Sequence, residues 1–176
     1  MKLRHAACTA LLGLCACAPQ DQAVEPASGA VEASAALSDA PGRILANATV
    51  VEAAGVRVRV EAAGLAAGTY GVHVHSVGRC DPPDFATAGP HWNPTERQHG
   101  RLNPQGAHLG DLPNLSVGTD GAGAVEFTIT GASLRGGGNA LLDGDGAAVV
   151  VHANPDDYRT DPSGNSGARI ACGVLG

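Results

Sequence analysis

Positive charge and aromatic side chains are both scarce in this chain. Lys2 is the only lysine, and seventeen acidic residues against eleven basic ones give a net charge of −6. Binding to nucleic-acid phosphates requires a basic surface, so this balance argues against a nucleic-acid partner. Aromatic residues make up only 3% of the 176 residues, so a core has to be built from Val, Leu, Ile and Ala. The length fits one domain of ordinary size rather than two.

The apolar run at the N-terminus, Ala6 to Ala18, is too short to span a membrane. It follows Lys2 and Arg4, and this combination is the pattern of a secretory signal. The charged start and short apolar run therefore predict that the chain is exported.

The end of this run carries the pattern of a lipid anchor. Leu14-Cys15-Ala16-Cys17 resembles the lipobox of bacterial lipoproteins, in which the cysteine becomes the acylated first residue of the mature protein. We therefore predict a lipoprotein signal peptide over residues 1–16, an acylated Cys17, a flexible tether over 17–32 and a domain over 33–176. An ordinary signal-peptidase cut after Ala16 or Ala18 is the alternative, and Pro19 disfavours the second of these positions.

The cysteines divide between the leader and the domain. Of five cysteines, Cys8 and Cys15 leave with the signal and Cys17 carries the lipid, so Cys80 and Cys172 remain in the exported domain. Two thiols in an oxidising compartment predict one disulfide, Cys80 to Cys172.

Short strands punctuated by Gly and Pro turns dominate the domain. Val56 to Glu61 alternates apolar and polar residues without exception, as expected of a half-buried antiparallel strand with its valines inward. No convincing helix or internal repeat is present. The prediction is an all-β Greek-key antiparallel β-sandwich or barrel, immunoglobulin-like, with eight strands: 33–37, 44–52, 56–61, 70–75, 115–117, 124–130, 147–152 and 169–174.

Regular patterning stops between Gly78 and Pro113, where Pro, Gly, Asn, Asp and His dominate. An unstructured loop of this length is uncommon in a compact domain unless something other than secondary structure organises it. Three histidines and one of the aspartates of this loop are the right number and kind of ligands for a tetrahedral zinc ion: His91, His99, His108 and Asp111.

The remaining histidines lie on two predicted strands. His73 and His75 are two residues apart, so they share one face of a strand, and His152 ends the run Ala147 to His152. Six histidines and one aspartate are one ligand short of two four-coordinate sites, and one imidazole bridging two ions would supply the missing ligand.

The candidate residues fall in six segments of the domain: GVHVHSVGRC, AGPHWNP, QHG, HLGDLPN, VVVHANPDD and GNSGARIACGV. As a set, these segments resemble the exported bacterial copper/zinc superoxide dismutases, and the resemblance runs from about Ala33 to Gly176.

The resemblance implies one copper and one zinc ion per subunit, with a role for each candidate residue. It assigns His73, His75 and His152 to copper, His91 to a bridge between the ions, and His99, His108 and Asp111 to zinc. It marks Asp156 as a carboxylate linking a copper histidine to a zinc histidine. Arg169 matches the arginine beside copper. The loop 157–167 is short and lacks the charged guiding residues of eukaryotic members, which leaves steering to other arginines.

The implied reaction is dismutation of superoxide to oxygen and hydrogen peroxide, with copper cycling between two oxidation states and His91 carrying a proton. A non-catalytic metal-binding or copper-delivery domain is the second hypothesis, but such relatives typically lose copper ligands or the arginine, and this chain keeps all of them. An adhesion sandwich with incidental histidines does not explain why every histidine of the domain falls in a ligand motif.

The predicted location is the periplasmic side of the cell envelope, on a membrane through Cys17, with a soluble periplasmic protein as the alternative. Protection of the envelope from superoxide follows as the expected role. The sequence leaves open the oligomeric state, including a possible homodimer, the membrane that holds the anchor and the source of copper.

Overall fold

The computed structural model describes residues 33–176. The predicted signal peptide over 1–16, the Cys17 anchor and the tether over 17–32 lie outside the described residues. Among residues 33–176, no helix is long and apolar enough to cross a membrane.

Nine antiparallel strands form nearly all of the regular structure. Seven make one sheet in the order β5-β8-β9-β1-β2-β3-β7, and β4 pairs with β6 in a second. This confirms the predicted antiparallel β-sandwich or barrel. The bounds are β1 Ala33–Ser38, β2 Ile44–Ala53, β3 Gly55–Ala62, β4 Gly68–Tyr70, β5 Val72–His75, β6 Leu115–Val117, β7 Ala124–Ile129, β8 Ala148–His152 and β9 Arg169–Val174, with one 3-10 turn at Ala86–Ala88.

The predicted fourth strand, 70–75, is two strands, so the prediction of eight was one short. The chain leaves one sheet for the other at Gly71, whose N–H donates to the carbonyl of Asn154 and whose own carbonyl accepts from the His152 N–H. A Cβ at Gly71 would lie 2.9 Å from the Cβ of Ser166, so only glycine fits between these segments without a shift. The break lets β5 pair with β8 while β4 pairs with β6.

Alternation in β3 produces the core as the sequence predicts. Val56, Val58 and Val60 are fully buried, whereas the arginines between them are half-exposed. The valines pack with apolar residues of β1, β2, β5 and β8 into one cluster. Burial of such side chains contributes roughly 1.5–3 kcal/mol each.

A disulfide joins the long loop to the last strand. Cys80 and Cys172 are bonded, with 5.7 Å between their Cα atoms, which confirms the predicted pair. Cys172 lies in β9 three residues after Arg169, so the bond holds the start of the loop against the strand that carries this arginine.

Candidate metal centre

Strand pairing places two histidines side by side under the long loop. His73 and His75 on β5 pair with Val150 and Ala148 of β8. The loop runs beside the other edge of β5, where isolated bridges join His73 to Asp111 and His75 to His91. All four residues of β5 are therefore buried, rather than only those on one face.

All the predicted ligands converge in two adjoining groups. The first ligand set consists of His73, His75, His91 and His152, whose ligand atoms lie within 4.8 Å of one another. The second ligand set consists of His91, His99, His108 and Asp111, arranged around the Oδ1 atom of Asp111. The Nδ1 atoms of His91, His99 and His108 lie 2.9, 3.0 and 3.1 Å from that oxygen.

The second ligand set has the dimensions of a tetrahedral site. Ligands at about 2.0–2.1 Å from a tetrahedral zinc ion lie roughly 3.3–3.4 Å from each other. The distances to Asp111 Oδ1 are slightly shorter than this, and the Nδ1 atoms of His91 and His108 are 3.4 Å apart. Ligand atoms of His73, His91, His99 and Asp111 lie within 4.8 Å of one another, and His108 joins this group through its contacts with Asp111 and His91.

The first ligand set leaves one nitrogen of each ring without a partner. His75 Nδ1 donates to the carbonyl of Gly89 at 2.8 Å, and His152 Nδ1 donates to the carbonyl of Gly167 at 3.2 Å. The opposite nitrogens are buried and unbonded, as are one nitrogen of His73 and one of His91: His73 Nδ1, His75 Nε2, His91 Nε2 and His152 Nε2. Buried polar atoms without partners are costly, so four of them facing one point fit a bound metal ion.

His91 belongs to both sets because its two nitrogens face opposite ways. Its Nδ1 lies against Asp111, whereas its Nε2 belongs with the first ligand set. This is the arrangement that the count of seven ligands for two four-coordinate sites predicts.

Asp156 joins the two sets behind the ligands. Its Oδ2 accepts from Nε2 of His73 at 2.9 Å, and its Oδ1 accepts from Nε2 of His99 at 2.9 Å. Both histidines are thereby left with Nδ1 as the free ligand atom. Carboxylates that fix ligating imidazoles in this way set the tautomer and the ring orientation.

Burial and the carboxylates of Asp111 and Asp156 shift the pKa values of the histidines in opposite directions. Burial lowers the pKa of His91 to about 4 and that of His152 to about 3, so both imidazoles are neutral at pH 7. Burial also lowers the pKa of His99, but hydrogen bonds with Asp111 and Asp156 outweigh it and raise that pKa to about 9. In the metal-free protein, a protonated His99 therefore supplies positive charge where a metal cation would bind.

Arg169 lies at a cavity of about 400 Å³ that opens onto the first ligand set, with His75, His91 and His152 on its wall. Its Nη1 and Nη2 donate to the carbonyls of Phe85 and Gly89 at 2.7 and 2.8 Å. Burial lowers the pKa of the guanidinium below its ordinary value, but an arginine remains charged. Among the described residues lining this cavity there is no carboxylate, so the wall favours an anion.

Sequence reasoning missed the acceptors that orient these side chains. Gly89 and Gly167 act through backbone carbonyls, and residue type gives no signal for such a role. Gly164 is a second omission, because a Cβ there would lie on the Asp156 carboxylate and 2.6 Å from His99 Nε2.

A β-sandwich that gathers six histidines into two ligand sets is a metalloprotein, and comparison with known proteins identifies its family. Residues 42–175 match the model of the copper/zinc superoxide dismutase family. The chain is 44% identical over 147 residues to the superoxide dismutase [Cu-Zn] of Caulobacter vibrioides, covering 81% of this chain and 84% of that protein.

Comparison with solved structures supports the same family. A SOD-like protein from Bacillus subtilis is 40% identical with a TM-score of 0.78, over 82% of this chain and 99% of that one. The Cu/Zn superoxide dismutase from Brucella abortus is 29% identical with a TM-score of 0.62, over 81% and 99%. The chain belongs to the copper/zinc superoxide dismutase family. It is an oxidoreductase that uses copper and zinc.

Proposed function

We propose that this chain converts two superoxide anions and two protons into oxygen and hydrogen peroxide, with copper in the first ligand set and zinc in the second. The observation that carries this assignment is the set of four buried, unbonded imidazole nitrogens beside a cavity that holds Arg169. Imidazoles suit copper, and three imidazoles with one carboxylate suit zinc.

Bound copper supplies a one-electron redox couple, and bound zinc supplies a fixed positive charge beside His91. The protein's own task is to hold the ligands rigid and to admit a small anion. His75 and His152 are held at Nδ1 by carbonyls, while Asp156 holds His73. The rings are therefore oriented before any ion binds, which reduces the reorganisation that binding requires.

His91 is the proton carrier in this proposal. Its Nε2 faces the first ligand set, whereas its Nδ1 faces the second, and the ring also lines the cavity. We assign to Nε2 the uptake of a proton in one half-reaction and its delivery to the reduced dioxygen in the next. Nδ1 stays with the second ligand set throughout.

Arg169 attracts and orients the anion. Residues 33–176 contain nine arginines and fourteen acidic residues, a net charge of −5, so the global field repels superoxide. A fixed guanidinium at a cavity wall without carboxylates provides the local positive potential that overcomes this repulsion.

The proposed setting is the periplasmic side of the cell envelope, where the enzyme removes superoxide while tethered through an acylated Cys17. The lipobox-like Leu14-Cys15-Ala16-Cys17 and the disulfide support export and anchoring. Labelling cells with a fatty-acid analogue tests the anchor: the wild-type chain takes up the label and Cys17→Ser does not. An unlabelled wild-type chain released in soluble form would favour the alternative of a free periplasmic protein.

Metal analysis of ligand variants tests the site assignment. His75→Ala is expected to lose copper and keep zinc, whereas His108→Ala is expected to lose zinc and keep copper. Loss of the same metal from both variants would overturn the division into two sets. Full loading with both metals, without any superoxide dismutation, would instead favour a metal-binding or copper-delivery domain.

A further inference from the structure

Asn114 has no role in the proposed chemistry, yet its side chain is bonded twice to the backbone of Asp156. Its Oδ1 accepts from the Asp156 N–H at 2.8 Å, and its Nδ2 donates to the Asp156 carbonyl at 3.0 Å. Asn114 stands three residues after Asp111 and directly before β6. It therefore ties the end of the long loop to the loop that follows β8, forty-two residues further along the chain.

The pair of hydrogen bonds specifies an amide. One atom has to accept and the other has to donate, so an aspartate could make only the first bond and a leucine neither. The two bonds hold the backbone nitrogen and the backbone carbonyl oxygen of Asp156, one on each side of its Cα. This limits rotation about the backbone bonds of Asp156.

A third contact secures Asn114 itself. Its backbone N–H donates to the hydroxyl of Tyr158 at 2.8 Å, and the backbone N–H of Tyr158 donates to Asp156 Oδ1 at 2.6 Å. The three residues close a small ring of hydrogen bonds around Asp156. Tyr158 is further held by Arg101, whose guanidinium carbon lies 4.0 Å from the centre of the phenol ring.

The carboxylate of Asp156 needs this support because it accepts hydrogen bonds from two histidines in different ligand sets. It has to reach His73 in one set and His99 in the other, and its side chain is fully buried. A rotation that improves one hydrogen bond weakens the other. Holding the backbone leaves a single orientation that satisfies both.

We infer that Asn114 is a positioning residue, which aims Asp156 and so presents the Nδ1 atoms of His73 and His99 to their ions. The inference rests on the role given to Asp156 under the proposed function. Removal of residues that orient metal ligands typically weakens metal affinity by about 10- to 100-fold. Asn114 contacts Asp156 rather than a metal ligand itself, so its loss should weaken zinc binding by about tenfold, the lower end of this range.

Zinc affinity, measured by competition with a chelator, tests this inference in four variants of the full protein. Asp156→Ala serves as the reference, Asn114→Ala removes both side-chain bonds, and Asn114→Asp keeps only the acceptor. Asn139→Ala is the control, because it removes an exposed side-chain bond to the Gly131 carbonyl. Asp156→Ala is expected to weaken zinc binding most, both Asn114 variants less, and Asn139→Ala not at all.

Cobalt in the second ligand set provides a readout that a loss of stability alone would not move. Its absorption spectrum reports ligand geometry and should change in Asn114→Ala but not in Asn139→Ala. An unchanged spectrum and zinc affinity in a less stable Asn114→Ala would overturn the inference. If that variant does not fold, Tyr158→Phe, which removes the acceptor for the Asn114 N–H, is expected to show a smaller change of the same kind, and no change in it would also overturn the inference.

The reference variant separates the two possible failures. Weak zinc binding in Asp156→Ala with normal binding in Asn114→Ala refutes the role of Asn114 and leaves the proposed function intact. Normal zinc binding in Asp156→Ala refutes the role of Asp156 itself, and the inference about Asn114 falls with it.

Discussion

Arg169 donates from Nη2 to the carbonyl oxygen of Gly89 at 2.8 Å. The same oxygen accepts from Nδ1 of His75, also at 2.8 Å. One carbonyl thus positions both the guanidinium to which we assign the attraction of the anion and a ring of the first ligand set. This shared carbonyl couples the position of the guanidinium to that of the His75 ring.

Charge reversal at Arg169 should slow the reaction without removing metal. Arg169→Glu replaces the attractive charge at the cavity with a repulsive one, and electrostatic steering of this kind contributes about 10- to 1,000-fold to association rates. We expect at least a tenfold lower rate constant for superoxide, measured by stopped flow on protein loaded with both metals. Arg57→Glu on β3, four strands from β8 in the sheet, is the charge-matched control. Loss of both metals in Arg169→Glu would mean that the arginine is structural.

Gly164→Ala should weaken zinc binding. Gly164 has a φ of +62°, and an added Cβ would press on Asp156 and lie 2.6 Å from His99 Nε2. Displacement of this pair is expected to lower zinc affinity by about tenfold. Gly121→Ala is the control, because its φ of +76° imposes similar strain with no atom within 4 Å of the new Cβ. Equal effects in the two variants would attribute the loss to backbone strain alone.

The disulfide should contribute substantially to stability. Cys80 and Cys172 are separated by 92 residues, and closing a loop of that length is worth about 4–5 kcal/mol in the chain-entropy model. Urea titration of the Cys80→Ala/Cys172→Ala double variant should show a free energy of unfolding lower by about that amount. An unchanged urea midpoint would contradict this expectation.

Stability of the metal-free protein should be greatest near pH 6.5. Below this pH, unfolded histidines bind protons that His91 and His152, with pKa values of about 4 and 3, do not bind when folded, so stability falls as the pH falls. Above it, His99 keeps its proton in the folded state up to about pH 9, and about 3 kcal/mol is lost as the pH rises from 6.5 to 9.

Urea titrations at pH 5, 6.5 and 9 measure both limbs of this profile. In the protein loaded with both metals, zinc takes the place of the proton on His99, so the alkaline loss should disappear. The variant His99→Asn should lack the alkaline limb even without metal. An alkaline limb of equal size in His99→Asn would assign it to another group.

Sequence predicted most of the strands and named the candidate ligands that the fold brings together, for separate physical reasons. The alternation of apolar and polar residues in Val56 to Glu61 involves only neighbours in the chain, so it is visible in the sequence. The candidate ligands are distant in sequence, but they include all six histidines of the domain, and with Asp111 their number matches two ions that share a bridge.

Features that depend on contacts between distant segments were not predictable in this way. The break at Gly71 follows from the close approach of Ser166, and the acceptors at Gly89 and Gly167 are backbone atoms that every residue has. Asn114 reads as an ordinary turn residue before β6. Its partner Asp156 becomes evident only when the two loops are brought together.

Superoxide decay after rapid mixing measures the central claim most directly. Protein loaded with one copper and one zinc ion should accelerate the decay in proportion to its copper content, and cyanide should abolish the effect. Protein that holds both ions in the two ligand sets and leaves the decay at its uncatalysed rate would contradict the claim.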